Sequence, residues 1–189
     1  MIASVITALI GNYMTTCFVL GLVIALIQVL RRRGRADSLT ASGLFLNNYI
    51  LWAIGVGQAI NFVMHSVFGD FAASTIGWAQ SPFQLELAFS SLGIAVMAFI
   101  LHGRTTQLRA KVALVAATAV FAFGAAGGHI YQMVANNDYS ANNTGLLLVM
   151  DVVIAVVGIA LVVWNVVARR KHTTGVQQSD PAPVLAGTR

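Results

Sequence analysis

Residues 2–35 read IASVITALIGNYMTTCFVLGLVIALIQVLRRRGR, a long apolar run that ends at a cluster of arginines. An α-helix needs about 20 mainly apolar residues to cross the hydrocarbon core of a bilayer. The run from Ile2 to Leu30 is long enough. A secretory signal peptide carries its positive charge before a shorter apolar region, whereas the charge here follows the run. We therefore expect an uncleaved first membrane span whose N-terminus lies outside.

The composition of the chain is that of a membrane protein. Of 189 residues, 58% are hydrophobic and 9% are charged, against about 25% charged in an ordinary soluble domain. The formal net charge of +5 comes from short basic clusters between apolar runs, which is typical of topology signals and not of nucleic-acid binding. Cys17 is the single cysteine, so neither an intramolecular disulfide nor a cysteine-based zinc site is expected.

Four further apolar runs follow the first and are separated by short polar connectors. Together they predict an all-α bundle of five membrane helices, at residues 2–30, 44–68, 82–101, 112–134 and 145–167. Ser81 and Gln84 fit a capping box and Pro82 fits the first helical position, which predicts the start of the third span. The amphipathic stretch Phe71 to Trp78 could form a short interfacial helix in the second connector.

All 11 Lys and Arg residues lie in the first connector, the third connector or the C-terminal tail. With five spans, these three segments lie on one side of the membrane, which the positive-inside rule assigns to the cytoplasm. We expect a bundle formed by residues 1–171, with its N-terminus outside and its C-terminus inside. Residues 172–189 have no periodic apolar pattern and are expected to form a disordered cytoplasmic tail.

Several ionisable side chains lie inside the predicted spans, where a charge at the bilayer centre costs at least about 2.5 to 3.5 kcal/mol on insertion scales. Glu86, His129 and Asp151 are four, five and six residues inside the outer ends of spans three, four and five. These positions are roughly 6 to 9 Å deep at about 1.5 Å per residue. His65 and Asp70 lie at the outer end of span two. We infer a shared, water-accessible polar pocket in the outer leaflet.

Other polar residues share helical faces with these groups, because residues three or four apart lie on one side of a helix. The predicted pocket comprises Gln58, Asn61, His65, Gln80, Gln84, Glu86, His129, Gln132 and Asp151. Its two imidazoles and two carboxylates could bind a divalent metal, and the same groups could act as acids and bases or relay protons. The candidate metal ligands are His65, Glu86, His129 and Asp151. Haem held by the two histidines is compatible with their positions on different spans.

Residues 76–86 read IGWAQSPFQLE and are followed by Gly128-His129 and by Asn143-Thr144-Gly145. These motifs resemble a family of small bacterial multi-pass membrane proteins of uncharacterised function, over about residues 61–151. The core of the resemblance is Ser-Pro-Phe-Gln-x-Glu. The resemblance implies a bacterial inner membrane, but it implies no activity. The matching positions are Gln84, Glu86 and His129.

Two classes of function remain open from the sequence. In the first, the pocket holds a metal or performs acid/base chemistry; in the second, the protein is a small permease or a proton-coupled carrier. A third interpretation is an accessory subunit, in a homo-oligomer or beside a partner subunit, whose polar residues only contact neighbouring helices. The inner halves of spans three to five offer few ionisable groups, which favours a one-sided site. The lipid bilayer is the expected surrounding, and no nucleic-acid partner is expected.

Overall fold

A computed structural model describes residues 11–32, 34–103 and 105–179, with side chains described up to residue 174. Regular secondary structure in these ranges is entirely helical. Five of the helices are long and apolar enough to cross a membrane, which confirms the predicted all-α bundle of five spans. The part of the first predicted span before Gly11 lies outside the described residues.

The helices are numbered here in chain order. They are α1 (Tyr13–Leu30), α2 (Ser38–Ser66), α3 (Gly69–Ile76), α4 (Phe83–Leu101), α5 (Leu108–Asn136), α6 (Ala141–Thr144) and α7 (Leu146–Ser179). The five long helices are α1, α2, α4, α5 and α7. The short helix predicted in the second connector is present as α3.

Helix α2 begins at Ser38, before the start predicted from its apolar run at residue 44. Asp37 caps it, since the Thr40 N–H donates to Asp37 Oδ1 at 2.7 Å. Hydrogen bonds from Thr40 to this carboxylate lower the pKa of Asp37. The middle of the helix, Tyr49–Val56, is π-helical, a rare geometry that is frequent at functional sites. Sequence periodicity gave no signal for this segment.

Tyr49 joins α2 to α7 in the centre of the bundle. Its hydroxyl donates to the Ile154 carbonyl at 2.9 Å, and its ring lies directly against Gly158, where a Cβ atom would collide with it. Both Tyr49 and Ile154 belong to the buried core, with Ile50 and Leu114. A small residue at position 158 therefore allows the two helices to approach closely.

The capping box predicted at the start of α4 is wrong. Pro82 is the N-cap residue and no side chain caps the helix. Gln84 Nε2 instead donates to the Gly69 carbonyl at 2.7 Å, and the Ser81 N–H donates to Gln80 Oε1 at 3.0 Å. The tertiary hydrogen bond of Gln84 ties the start of α4 to the start of α3, which a local cap could not do.

Helix α7 continues to Ser179, whereas the predicted fifth span ended at residue 167. Residues 172–179 are thus helical where the sequence pattern predicted disorder. The first proline after the start of α7 is Pro181, so no residue that breaks a helix by removing a backbone donor interrupts it earlier. The rest of the predicted tail, residues 180–189, lies outside the described residues.

One end of the bundle, here called the basic end, carries the first connector, the third connector and the end of the last long span. Asn165 Nδ2 donates to Ser42 Oγ at 2.9 Å, which joins α7 to α2. Lys111 is buried, and its Nζ donates to Asn47 Oδ1 at 2.5 Å and to the Gly103 carbonyl. The opposite end, here called the loop end, carries α3 and the loop 137–145.

Candidate functional site

A cavity of about 380 Å³ lies between the five long helices near the loop end. Its volume is in the range of small-molecule pockets, about 300 to 1,000 Å³. Much of its wall is apolar, with Ile54, Phe121 and Met150 as examples. The polar residues of the predicted pocket that line it are Gln58, Asn61, His65, Gln84, His129 and Asp151.

His129 on α5 and Asp151 on α7 form the only ion pair among the described residues. His129 Nε2 lies 3.9 Å from Asp151 Oδ2, and the two side chains are 6% and 19% exposed. This separation exceeds that of a hydrogen bond. Both residues line the cavity, and at this distance their side chains still interact electrostatically.

Asn143, which is fully buried in α6, holds the ring of His129 from the loop side. Its Oδ1 lies 2.8 Å from His129 Nδ1 and accepts from Trp78 Nε1 at 3.1 Å. Its Nδ2 donates to the backbone carbonyls of His129, at 3.2 Å, and of Asp138, at 2.8 Å. The orientation of the amide follows, because a flipped amide would point its oxygen at two carbonyls and its nitrogen at the indole N–H.

This orientation assigns the proton on His129. Asn143 Oδ1 is an acceptor, so His129 Nδ1 must be the donor in their hydrogen bond. In a neutral imidazole, Nε2 is then an acceptor that faces the Asp151 carboxylate. The Trp78 ring also packs against the imidazole, with ring centroids 5.1 Å apart, and restricts its rotation.

Three buried polar atoms at the cavity have no hydrogen-bond partner among the described residues. They are Gln58 Oε1, His65 Nδ1 and Asp151 Oδ2. The residues that carry them come from α2 and α7 and all line the cavity. Buried polar groups in proteins are nearly always hydrogen-bonded, so these three atoms leave hydrogen-bonding capacity on the cavity wall.

A chain of hydrogen bonds connects three helices along one side of the cavity. Tyr13 OH donates to Asn61 Oδ1 at 2.5 Å, and Asn61 Nδ2 donates to Ser91 Oγ at 2.9 Å. Ser91 Oγ in turn donates to the Leu87 carbonyl at 3.1 Å. The chain joins α1, α2 and α4 and engages both the oxygen and the nitrogen of the Asn61 amide.

Three residues of the predicted pocket do not line the cavity. Gln80 is exposed and donates to Asp70 Oδ1 at 2.8 Å. Gln132 accepts from Asn136 and lines a separate surface depression. Glu86 is exposed on α4, and its side chain is not part of the cavity wall.

The loop that carries Asn143 packs closely on the end of α3. Gly77 has a φ of 88°, and a Cβ atom there would collide with the Ser140 hydroxyl and the Asp138 carboxylate. The Ser140 N–H donates to Asp138 Oδ1 at 3.0 Å. Hydrogen bonds from Ser140 lower the pKa of the Asp138 carboxyl. The backbone at position 77 thus determines how closely Trp78 and Asn143 approach each other.

A comparison with protein families assigns the chain. Residues 11–171 match the family of unknown function DUF6790. The chain belongs to this family. The matched range contains the five long helices up to Lys171 and all the cavity residues named above. The expectation of an uncharacterised family is confirmed, and no curated protein or solved structure matches the chain.

The four metal ligands predicted for this DUF6790 chain do not come together as one group. His65, His129 and Asp151 line the cavity, whereas Glu86 does not. Within the described residues, no three His, Cys, Asp or Glu side chains are close enough to hold one metal ion. Both ring nitrogens of His129 also face protein atoms, Asn143 Oδ1 and Asp151 Oδ2, which disfavours this histidine as a haem ligand.

Tyr13 and Trp78, which line the cavity, and Asn143, which contacts the His129 ring, were not among the predicted pocket residues. Tyr13 lies in an apolar run, and Trp78 lies at the end of the amphipathic stretch in the second connector. Asn143 lies in a loop with several asparagines, and only its place in the Asn-Thr-Gly motif singled it out. Its burial depends on the loop folding back over α5, which no local pattern indicates.

Proposed function

We propose that this DUF6790 protein has a one-sided binding pocket in the outer half of a bacterial inner membrane, in which His129 and Asp151 act as an acid/base pair. Five helices compatible with membrane spans support the membrane location. The basic clusters support a cytoplasmic position for the basic end. The pocket near the loop end then opens toward the outer side.

The proposal rests on the argument that His129 and Asp151 share one proton. Nδ1 of His129 already holds a proton for Asn143, so a neutral ring offers only a lone pair at Nε2. A carboxylate is also an acceptor. Two acceptors 3.9 Å apart in a largely buried site repel each other unless one proton lies on one of them. The resting pair therefore holds a proton that a ligand in the cavity can receive or displace.

A carrier, the alternative class, needs a polar path that continues to the basic end. Below the cavity, the interior is filled by buried apolar residues, among them Ile50 on α2, Leu114 on α5 and Leu161 on α7. These residues lie in sequence between the cavity residues and the polar residues of the basic end. This apolar layer favours a pocket that opens on one side only.

Nuclear magnetic resonance of protein with ¹⁵N-labelled histidine in lipid nanodiscs tests the acid/base pair. We expect Nδ1 of His129 to stay protonated throughout a pH titration, while Nε2 titrates in two coupled steps with Asp151. In the Asp151→Asn variant, Nε2 of His129 should titrate in a single step. Glu86→Gln is the matched control, because it removes an exposed carboxylate from α4 and should leave the two steps intact. His172, in the exposed part of α7, is the internal reference.

An unchanged His129 titration in Asp151→Asn would show that the two residues share no proton. The pair would then be an interhelical contact, as in the accessory-subunit interpretation, with an energy of about 0.6 kcal/mol on the average measured for membrane proteins.

A further inference from the structure

We infer that the cavity binds a small organic ammonium ion and that this cation enters in exchange for the proton shared by His129 and Asp151. The ligand class rests on the proposed function, because the exchange needs that proton. The inference goes beyond the proposed function because it assigns the charge, the hydrogen-bond donors and the apolar body of the ligand.

The unpartnered atoms of the cavity favour a ligand that donates hydrogen bonds. Gln58 Oε1 can only accept, Asp151 Oδ2 only accepts once the carboxyl is ionised, and His65 Nδ1 accepts when its proton is on Nε2. A primary ammonium group has three donors and no acceptor. Its hydrogen-bonding capacity therefore complements these buried atoms, whereas a carboxylate or phosphate would add acceptors to them.

The charge of the cavity also favours a cation. Among the described residues, no Lys or Arg lines the cavity, and Asp151 has only His129 as an ionic partner. A ligand with one positive charge can take the place of the shared proton. Because no three metal-ligand side chains of the described residues converge there, these residues do not provide the oxygen-rich shell that a divalent metal ion prefers.

The rest of the cavity suits a hydrocarbon body attached to the ammonium group. Its wall contains apolar side chains from α2, α5 and α7 and the aromatic rings of Tyr13, Trp78 and Phe121. Aromatic faces attract cations and accept apolar groups. The volume of about 380 Å³ is that of a small-molecule site and not of a single bare ion.

Electrostatics couples binding of the cation to release of the proton. An ammonium ion and a protonated His129–Asp151 pair would place two positive charges beside one carboxylate. The pair therefore loses its proton as the ammonium ion binds, and one proton leaves for each ammonium ion that enters. A neutral alcohol with the same hydrocarbon chain adds no charge and should leave the proton in place.

Other titratable groups near the pair have to be considered in this exchange. They are Tyr13 on α1, His65 on α2 and Asp138 in the loop before α6. Tyr13 donates to Asn61, and Asp138 accepts from Ser140. Asp70 on α3 and Glu86 on α4 are exposed and are not part of the cavity wall.

Isothermal titration calorimetry of the full chain in phosphatidylcholine nanodiscs tests the inference with n-hexylammonium and 1-hexanol as probes. Measurements at neutral pH in phosphate and in HEPES, which differ in ionisation enthalpy, give the number of protons released. Empty nanodiscs correct for partition into lipid. We expect saturable hexylammonium binding with one proton released per ion, and weaker hexanol binding with none.

Two variants separate the contributions of charge and hydrogen bonding. Asp151→Asn should weaken hexylammonium binding about tenfold or more and leave hexanol binding nearly unchanged. Gln58→Leu should weaken hexylammonium binding while the wild-type proton release is kept, and it provides a second test should Asp151→Asn not fold. Glu86→Gln should behave as the wild type.

Equal affinity for hexylammonium and hexanol in the wild type would overturn the inference, and so would ammonium binding without proton release. The calorimetry with hexylammonium and the titration of His129 without ligand are independent tests. A two-step titration combined with no ammonium preference would retain the acid/base pair and reject this ligand class. A single-step titration would reject the pair itself.

Discussion

The side-chain amide of Asn143 holds His129 by both its ring and its backbone. Oδ1 lies 2.8 Å from the ring Nδ1, and Nδ2 donates to the His129 carbonyl at 3.2 Å. The same amide also bonds Trp78 and the Asp138 carbonyl, so all its hydrogen-bonding groups are used. The short helix α6 thus sets the tautomer of a histidine on α5 and directs its second nitrogen toward α7.

Replacing Asn143 by alanine should destabilise the loop end. It leaves the Trp78 indole N–H, His129 Nδ1 and two backbone carbonyls without their partner, and buried polar groups that lose a partner cost about 1 to 3 kcal/mol. Chemical unfolding in mild detergent measures the loss. Asn136→Ala is the control, because Asn136 is exposed and, among the described residues, its side chain bonds only Gln132. Equal stability of the two variants would contradict the role of Asn143.

Gly77→Ala should disturb the contact between α3 and the loop 137–145. The residue has a φ of 88°, and an added Cβ atom would collide with Ser140 and Asp138. A side chain in this backbone conformation is strained by about 1 kcal/mol or more before the collision is counted. We expect a lower melting temperature and a changed fluorescence of Trp78, measured in a variant that lacks the other tryptophans.

Gly93→Ala is the matched control for the substitution at Gly77. Gly93 lies inside α4, and a Cβ atom there meets nothing within 4 Å. Alanine in a helix interior is favoured over glycine by roughly 0.5 to 1 kcal/mol. The melting temperature should stay the same or rise, and a similar fall in both variants would argue against a specific contact at Gly77.

Gly158→Ala should separate α7 from α2, because the new methyl group would collide with the Tyr49 ring. Overpacking of this kind typically costs about 1 to 3 kcal/mol. Combining it with Tyr49→Leu should cost less than the sum of the two single changes, since the colliding ring is gone. Unfolding free energies of the four proteins measure this coupling. Gly124→Ala is the control and should have little effect, because a Cβ atom there meets nothing within 4 Å. If the changes in unfolding free energy for Tyr49→Leu and Gly158→Ala simply add, the contact between the two residues is rejected.

The orientation of the bundle is testable with reporter fusions. A fusion after Lys171 should report a cytoplasmic position, and an insertion beside Asn137 should report an external one. The basic residues lie at the end opposite the loop 137–145, and the positive-inside rule places them in the cytoplasm. An exported reporter at Lys171 would reverse the orientation and would move the pocket to the inner half of the membrane.

The spans could be predicted from the sequence because membrane crossing depends on a local property, about 20 consecutive apolar residues. Three of the five long helices, α2, α5 and α7, nevertheless differ from the predicted limits by several residues at one end or both. The reasons are specific contacts, such as the Asp37 cap of α2, or the absence of a helix breaker, as in α7. The start of α4 was predicted within one residue, but its stabilising contact is the tertiary bond from Gln84 to Gly69.

The apolar runs and basic clusters of the chain are enough to predict a five-span helical bundle with its basic residues at one end and with carboxylates and histidines inside the spans. Which of these polar side chains meet depends on how the helices pack. Glu86 and Asp151 have similar depths in the sequence, yet Glu86 is exposed on α4 and Asp151 lines the cavity beside His129. The rotation of each helix about its axis is the physical reason, because it is set by packing against the neighbouring helices.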